Sequence, residues 1–170
     1  MSVDPNIALM KSFSKRMVQT KWHESWMFRV EAEGAPSDWD LFCKEITQTP
    51  IELEANTRKL GSQYLSYLNG AQPVSLTLTM RDNENGDVYN WFDDWVGKVA
   101  FSDGTWGLPS DYLKTFKIFR RKSDASEVLR QELRVQPMVL GELTESVERS
   151  GSLLEFPITV IEFRSAETNY

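Results

Sequence analysis

The chain has 170 residues, which suits one domain with at most an added arm, and its 41% hydrophobic and 12% aromatic content predicts a buried core. With 19 basic and 25 acidic side chains the formal charge is −6, which argues against nucleic-acid binding because neutralising phosphates requires clustered cations. A single cysteine and a single histidine exclude an intrachain disulfide and a Cys/His zinc cluster.

The N-terminal segment reads as a basic amphipathic helix. Asp4 and Pro5 are typical of a helix start, and apolar side chains then recur roughly once per turn, Phe13 less well placed than the others: Ile7, Met10, Met17 and Val18. Residues 5–23 hold four cations and no acid, so the rest of the chain carries −10. We therefore divide the chain into an arm (residues 1–24) and a β domain (residues 25–170). The arm is expected to dock on its own or a neighbouring domain, and a membrane or an acidic partner surface is the alternative.

The β domain is predicted to open with a hairpin. Trp26, Phe28, Val30 and Ala32 alternate with other residues as in a half-buried strand. A turn over residues 34–38 follows, and residues 39–44 are expected to return as the partner strand. Weaker strand patterns over residues 51–56 and 64–68 flank a turn at Gly61.

Residues 74–80 form the cleanest strand pattern, with apolar Val74, Leu76, Leu78 and Met80 alternating with Ser75, Thr77 and Thr79. A helix is predicted next from one apolar stripe: Val88, Trp91, Phe92, Trp95, Val96 and Val99. Further strands are expected over residues 112–120, 129–135 and 153–163, with Pro157 implying an edge or a bulge. The predicted fold class is therefore mostly β (α+β), with seven or eight antiparallel strands, one packed helix and an N-terminal helical arm.

No catalytic, cofactor-binding or metal-binding residue is predicted. Asp82, Glu84, Asp87 and Asp93 resemble a calcium loop, but Gly86 falls at the fifth position instead of the sixth, so a helix-opening turn is the better interpretation. The neighbouring acids Asp93 and Asp94 diverge on a helix and cannot serve as a glycosidase pair. Around His23 nothing supports a catalytic triad, and neither a nucleophile-elbow nor a nucleotide-binding motif is present. We expect a protein that is not an enzyme.

The basic cluster over residues 120–122 has two interpretations. Arg120, Arg121 and Lys122 follow cations and aromatics that alternate, as in single-strand binders: Lys114, Phe116, Lys117 and Phe119. Because acids flank the cluster and the whole chain is acidic, the preferred interpretation is a cationic strand end that pairs with an acidic surface of a neighbouring subunit.

Phe42-Cys43-Lys44 is followed by the turn at Pro50, the strand ending before Arg81-Asp82-Asn83-Glu84-Asn85, and the helix closing on Trp91-Phe92-Asp93-Asp94-Trp95. Downstream come Pro109-Ser110-Asp111-Tyr112, Pro137, Gly141-Glu142-Leu143 and the closing strand. This order over residues 25–163 resembles the tail tube proteins of contractile-tailed bacteriophages. The chain departs from that family in its long basic arm, its longer segment over residues 60–72, and Gln136-Pro137 where Trp-Pro is usual.

The resemblance implies an antiparallel β-sandwich or barrel-like tail-tube fold and assembly into stacked hexameric rings. Such rings form the inner tube of the virion tail, through which DNA passes without specific binding, with tail sheath and baseplate proteins as partners. No secretory signal and no membrane span is visible, so assembly is expected in the host cytoplasm. The alternatives are a baseplate tube-initiator ring of the same fold and, from a different class, a small ligand- or carbohydrate-binding β domain.

Overall fold

The computed structural model describes residues 5–145, 151 and 153–164, so the proposed helix start at Asp4 lies outside the described residues. Four helices and eight strands follow in chain order: α1 (Pro5–Gln19), β1 (Phe28–Ala32), α2 (Trp39–Phe42), β2 (Cys43–Thr49), β3 (Leu53–Leu60), β4 (Gln63–Ala71), β5 (Ser75–Arg81), α3 (Asp87–Gly97), α4 (Pro109–Tyr112), β6 (Lys114–Arg121), β7 (Glu127–Leu140) and β8 (Glu155–Glu162). The predicted N-terminal helix, the long helix α3 and the strand count are confirmed.

Six strands form one antiparallel sheet in the order β1-β6-β7-β8-β5-β2, and β3 and β4 form a separate two-stranded hairpin. Strand β5 lies inside the sheet, between β8 and β2, and its residues alternate between the two faces of the sheet. Leu76, Leu78 and Met80 are fully buried on one face, while Ser75, Thr77 and Thr79 stay half-buried on the other. The prediction of a strand that is wet on one face is confirmed.

The sheet curls around its core in the barrel-like manner expected. Gln48 on β2 donates a hydrogen bond to Gln131 on β7 at 2.7 Å, although β8 and β5 lie between these two strands in the sheet. Gln48 pairs with the buried Leu76 and Gln131 with the buried Ile118, so both amides lie on the core side. A flat sheet would hold β2 and β7 roughly three strand spacings apart, so the contact requires strong curvature.

Helix α3 packs on the core through one face. Val88, Phe92 and Trp95 are buried at the helical spacing that the sequence predicts, whereas Trp91 is half-buried and lies 4.9 Å from the Trp39 ring, centroid to centroid. The remaining buried apolar side chains come from the sheet, from Val74 before β5 and from the segment around β1: Met27, Val30, Trp39, Leu76, Leu78, Met80, Phe116, Ile118, Leu133, Val135, Phe156, Ile158 and Val160.

The predicted hairpin of residues 26–44 is wrong. Residues 39–42 form the short helix α2 after a left-handed turn at Asp38 (φ 63°), and β1 pairs with β6 while β2 pairs with β5. The expected alternation holds within β1, where Val30 is buried, but fails before it, where Met27 is buried and Trp26 is exposed. Strands β1 and β2 are the two outer strands of the sheet and do not pair with each other.

Pro157 does not mark an edge strand, because β8 lies between β7 and β5. Its carbonyl oxygen accepts from the Gly141 N–H at 2.8 Å, just past the last β7 pair, Leu140 with Ile158. The N and O of one strand residue point toward the same neighbour, so the missing N–H of Pro157 faces the end of β7. The irregularity lies in β7 itself, where the register shifts between Pro137 and Val139.

Candidate assembly surfaces

The acidic turn before α3 is a helix cap. The Asp82 carboxylate accepts hydrogen bonds from the backbone N–H groups of Val88 (3.1 Å), Tyr89 (3.0 Å) and Asn83 (2.9 Å). The bonds from Val88 and Tyr89 satisfy donors that the first helical turn leaves without an intrahelical partner. Among the described residues, no group of His, Cys, Asp and Glu side chains is arranged to hold a metal ion. The helix-opening interpretation of this turn is therefore confirmed.

The other residues considered for chemistry lie apart. Asp93 and Asp94 are exposed on the outer face of α3, and His23 is exposed after α1. Burial raises the pKa of the Cys43 thiol to about 12, so this sulfur is protonated and a poor nucleophile at neutral pH.

The central cation of the basic cluster at the end of β6 is paired within the chain. Arg121 donates to Glu127 at 2.9 Å, and the same carboxylate accepts from Arg29. The guanidinium of Arg29 lies 4.6 Å from the Phe119 ring centroid, and Phe116 is buried in the core. Phe116 is therefore unavailable for stacking a nucleobase and Arg29 covers one face of Phe119, which disfavours the single-strand-binding interpretation.

Lys114 has a structural role that the sequence did not reveal. Its ammonium group lies 5.2 Å from the Trp91 ring centroid and 5.5 Å from that of Trp95, and it donates to the Glu33 carbonyl oxygen at 3.1 Å. Burial lowers the pKa of Lys114, with a smaller contribution from the charge of Lys98. This cation joins the β1 turn to α3 and is not part of an open basic surface.

The β3–β4 hairpin is exposed along its whole length on both faces. In the observed register Tyr64 and Leu68 lie on one face, whereas Leu65 and Tyr67 lie on the other. Tyr64 is 73% exposed and Leu68 66%. Exposed apolar surface of this extent is typical of an interaction site.

A groove of about 730 Å³ lies between the two outer strands of the sheet, β1 and β2. Four cations (Arg29, Lys44, Arg121 and Arg130) and two acids (Asp40 and Glu45) line it, together with Trp26, which is 63% exposed. The groove is thus weakly basic and borders sheet edges that carry backbone donors and acceptors.

Helix α1 stands clear of the β domain. Every α1 side chain whose placement is described is exposed, including Ile7, Met10, Phe13 and Met17. The expectation that the arm docks on its own domain is therefore wrong for the isolated chain. None of the described helices is long and apolar enough to cross a membrane.

The face of the sheet opposite the core is polar around β5 and β8. Thr77 and Thr159 share a hydrogen bond at 3.2 Å, and Ser75 and Thr79 lie on the same face of β5. At one end of this face Glu155 accepts from Lys44 (2.6 Å) and Arg81 (3.1 Å). This surface suits contact with water more than contact with an apolar partner.

Comparison with solved structures shows which fold this is. A chain of the sheath–tube complex of PVC, an extracellular contractile injection system in its extended state, superimposes with a TM-score of 0.61 at 13% identity over 89% of this chain and 94% of that chain. A chain of the PVC sheath/tube terminator gives 0.60 at 14% identity over 85% and 95%, and a chain of the anti-feeding prophage cap gives 0.60 at 12% over 85% and 89%.

No protein-family model and no curated protein matches the sequence. At these low identities the structural likeness establishes the fold: the chain has the antiparallel fold found in contractile injection systems, and the predicted fold class is confirmed.

Proposed function

We propose that this protein is a structural subunit of a contractile phage-type tail and that it assembles into stacked hexameric rings forming the inner tube. The observation that carries the proposal is the β3–β4 hairpin, which is exposed and apolar on both faces. Solved chains of the same fold come from a sheath–tube complex and from tube-terminating structures, which supports a role in such an assembly.

Contact with a partner would stabilise the hairpin. An isolated two-stranded hairpin is marginally stable in water, and this one packs no side chain into the core of its own chain. Burying Tyr64, Leu65, Tyr67 and Leu68 against neighbouring subunits removes a large apolar area from water, which stabilises both the hairpin and the contact.

A projecting hairpin that docks into a different surface makes a heterologous contact. Repetition of such a contact generates rings when the rotation closes and an open filament when it does not. The free edges of β1 and β2 provide complementary sites at which neighbouring sheets pair within a ring. Rings stacked through hairpins are the tube geometry proposed here.

The polar face of β5 and β8 is suited to line the bore. Its hydroxyl side chains (Ser75, Thr77, Thr79 and Thr159) bind water and carry no positive charge. With a chain charge of −6, an assembled tube repels phosphate, so DNA passes without being held. The partners implied are tail sheath and baseplate proteins, the location is the tail of the particle after assembly in the host cytoplasm, and no enzymatic activity is proposed.

Negative-stain electron microscopy of the purified protein across concentration tests the proposal. The wild type is expected to form hollow tubes or stacked rings. A variant with Tyr64→Ser, Leu65→Ser, Tyr67→Ser and Leu68→Ser should stay folded by circular dichroism but form no tubes. The matched control replaces Leu41 and Val128, exposed apolar residues outside the hairpin, with serine and should assemble. A hairpin variant that assembles like the wild type would contradict the proposal.

The second candidate is a ring at one end of the tube, such as the baseplate tube-initiator. The long basic arm favours it, because α1 adds a surface beyond the sheet and the hairpin. Superpositions on tube-terminating chains are as good as on the sheath–tube complex, so the fold alone is compatible with either position. Wild-type protein that forms isolated rings at every concentration would favour this candidate.

A ligand- or carbohydrate-binding domain is the alternative from another class. The exposed ring of Trp26 in the β1–β2 groove is the observation that favours it, because sugars stack on such rings. Titration with glycans while tryptophan fluorescence is followed tests it. A saturable shift that is lost in Trp26→Ala would support binding, and an unchanged spectrum would count against it.

A further inference from the structure

We propose that helix α1 of one copy docks on the acidic surface around α3 of a second copy. This α3 surface consists of Asp93 and Asp94 on the helix and of Phe101, Asp103, Trp106 and Leu108 in the loop that follows, all of them exposed. The inference rests on the proposed self-assembly and names the surface that receives the arm.

Helix α1 has the chemistry of a docking element. Successive residues turn by about 100° around a helix, which places Ile7, Met10, Phe13 and Met17 in one apolar arc. Lys11 and Lys15 lie along one border of this arc and Arg16 along the other, with the Arg16 guanidinium 6.0 Å from the Phe13 ring centroid. The arc therefore presents exposed apolar side chains with two lysines on one side and one arginine on the other.

The helix also needs a partner to persist. An isolated helix of 15 residues is marginal in water, since helical stability in proteins comes mostly from packing of the apolar face. Its Met10 side chain is 70% exposed, so this stabilisation is missing within one chain.

The α3 surface matches this chemistry. Residues 84–111 contain six acids and one cation, a net charge of −5 within a segment of the chain that follows the core strand β5. Trp106 is 76% exposed, and Phe101 and Leu108 are also exposed. The helix and the loop that directly follows it thus offer exposed carboxylates for the cations of α1 and exposed apolar side chains for its arc.

The loop that carries these side chains is held in place by its own backbone. Phe101 N–H donates to the Thr105 carbonyl oxygen and Gly107 N–H to the Val99 carbonyl oxygen, each at 2.9 Å. Ala100 and Trp106 form a β-bridge between these bonds. Because the loop that would receive α1 is already ordered, docking costs little conformational entropy on this side of the contact.

Charge favours the α3 surface over the other apolar surfaces as the receptor. Three of the four cations that line the β1–β2 groove are paired with Glu127 or Glu155, and the hairpin has Arg58 and Lys59 against Glu54. Neither surface has the excess of carboxylates that residues 84–111 offer to a cationic helix. An anionic bilayer would attract α1 but repel residues 25–170, which carry −8, whereas the same −8 attracts the arm of another copy.

Zero-length coupling of amines to carboxylates, followed by mass spectrometry, tests the docking on the full chain. Equal amounts of ¹⁴N- and ¹⁵N-labelled protein are mixed, so a cross-link between the two labels is intermolecular. We expect mixed-label links from Lys11 or Lys15 to Asp93, Asp94 or Asp103, decreasing when salt is raised from about 0.05 M to about 0.5 M. Absence of these links, or links within single labels only, would overturn the proposal.

Charge reversal provides the matched variants. Lys11→Glu/Lys15→Glu leaves Lys21 as the lysine of the arm, and we expect mixed-label coupling of Lys21 to the α3 surface to be about tenfold weaker than in the wild type. Asp93→Lys/Asp94→Lys should reduce coupling from the wild-type arm similarly. An equimolar mixture of these two variants should restore coupling between the new Glu and Lys pairs. Lys59→Glu/Lys122→Glu, which reverses two cations elsewhere, should leave the links unchanged. Failure of the mixture to recover would also overturn the docking.

Two further measurements distinguish the docking of α1 from the proposed tube and from binding of α1 to a membrane. Tubes without the expected links would leave the proposed function standing and overturn the docking, whereas links without tubes would support the docking and contradict the tube. Sedimentation with vesicles of phosphatidylserine and phosphatidylcholine tests the membrane alternative. Vesicle binding that Lys11→Glu/Lys15→Glu abolishes, together with absent links, would assign α1 to a bilayer and overturn the proposal.

Discussion

Trp95 connects helix α3 to the sheet and to the short helix α4 before β6. Its ring centroid lies 5.5 Å from that of Phe92 and 5.8 Å from that of Phe116. Its indole N–H donates to the Tyr112 carbonyl oxygen at 2.5 Å. Removing this side chain therefore leaves both a cavity and an acceptor without its donor, two separate costs at one position.

Trp95→Ala is expected to lower the free energy of unfolding by about 3–5 kcal/mol. Trp106→Ala, which truncates an exposed ring, should change it by less than about 0.5 kcal/mol in the dilute monomer. Urea denaturation followed by circular dichroism measures both. Equal losses in the two variants would show that α3 is not anchored through Trp95.

Asp82 is the residue that fixes where α3 begins. Asp82→Ala removes an acceptor from the backbone N–H groups of Val88 and Tyr89, and we expect a loss of about 0.5–2 kcal/mol. Glu84→Ala, an exposed acid in the same turn, is the control and should be nearly neutral. Denaturation curves that do not distinguish the two variants would refute the capping role.

Two carboxylates tie distant strands together and make stability depend on pH. Hydrogen bonds from Arg29 and then Arg121 hold the pKa of Glu127 below its usual value, and those from Lys44 and Arg81 do the same for Glu155. A carboxyl group whose pKa is lower in the folded state stabilises the fold fully above its unfolded pKa. That stabilisation is lost as pH falls through the folded pKa.

The urea midpoint is therefore expected to fall between about pH 6 and about pH 3, because protonation removes both sets of ion pairs. The double variant Glu127→Gln/Glu155→Gln should be less stable than the wild type at neutral pH and show a smaller decrease on acidification. A double variant with the full wild-type pH dependence would place the acid sensitivity in other carboxyl groups.

At the scale of elements, the sequence predicted best where one local pattern decides the structure. The two-residue alternation of β5 and the helical stripe of α3 each bury the expected residues, and the turn at Gly61 joins β3 to β4. Residues 39–44 were assigned to a strand because aromatic and apolar side chains recur there. Strand pairing is a long-range choice, and β1 pairs with β6, which lies more than eighty residues further along the chain.

For the candidate surfaces, too, the sequence predicts local features better than long-range ones. It shows the basic and apolar composition of α1, but it does not show that the helix is exposed, because burial depends on where the rest of the chain lies. The sequence predicts that the cluster around Arg121 is available to a partner, but in the structure Arg121 shares the carboxylate of Glu127 with Arg29, which lies 98 residues from Glu127. A local charge count cannot reveal an ion pair between residues so distant in the sequence.

Deletion of residues 1–24 should leave a folded β domain, since the described side chains of α1 are exposed and remove little buried area when lost. We expect an unfolding free energy within about 0.5 kcal/mol of the full chain in dilute solution. The deleted protein should fail to stack, which electron microscopy measures. Filaments identical to those of the full chain would remove the arm from the assembly contacts.

At the scale of the whole molecule, one chain leaves several surfaces incomplete in a coordinated way. The curled sheet ends in two free edges, the hairpin projects without a core of its own, and the arm carries +2 on a chain whose remaining residues carry −8. Each of these surfaces is unfavourable in an isolated subunit, and contact with another copy, as proposed, would satisfy it. The shape and the charge of the monomer both favour a repeating assembly.

The orientation of the subunit in the proposed tube leads to the last prediction. If the polar face of β5 lines the bore, Ser75→Lys/Thr79→Lys adds two cations per subunit to the DNA path, repeated around every ring. Tubes of this variant are expected to retain labelled double-stranded DNA in a sedimentation assay at low salt and to release it at high salt. Tubes of Ser37→Lys/Ser123→Lys, which adds the same charge to the exposed turns after β1 and β6, away from the α3 surface and the hairpin, should retain far less DNA. Cations inside a bore act on DNA from all sides of a confined path, whereas cations on the outer surface do not, so retention should differ between the two variants. Equal retention would show that the β5 face does not line the bore.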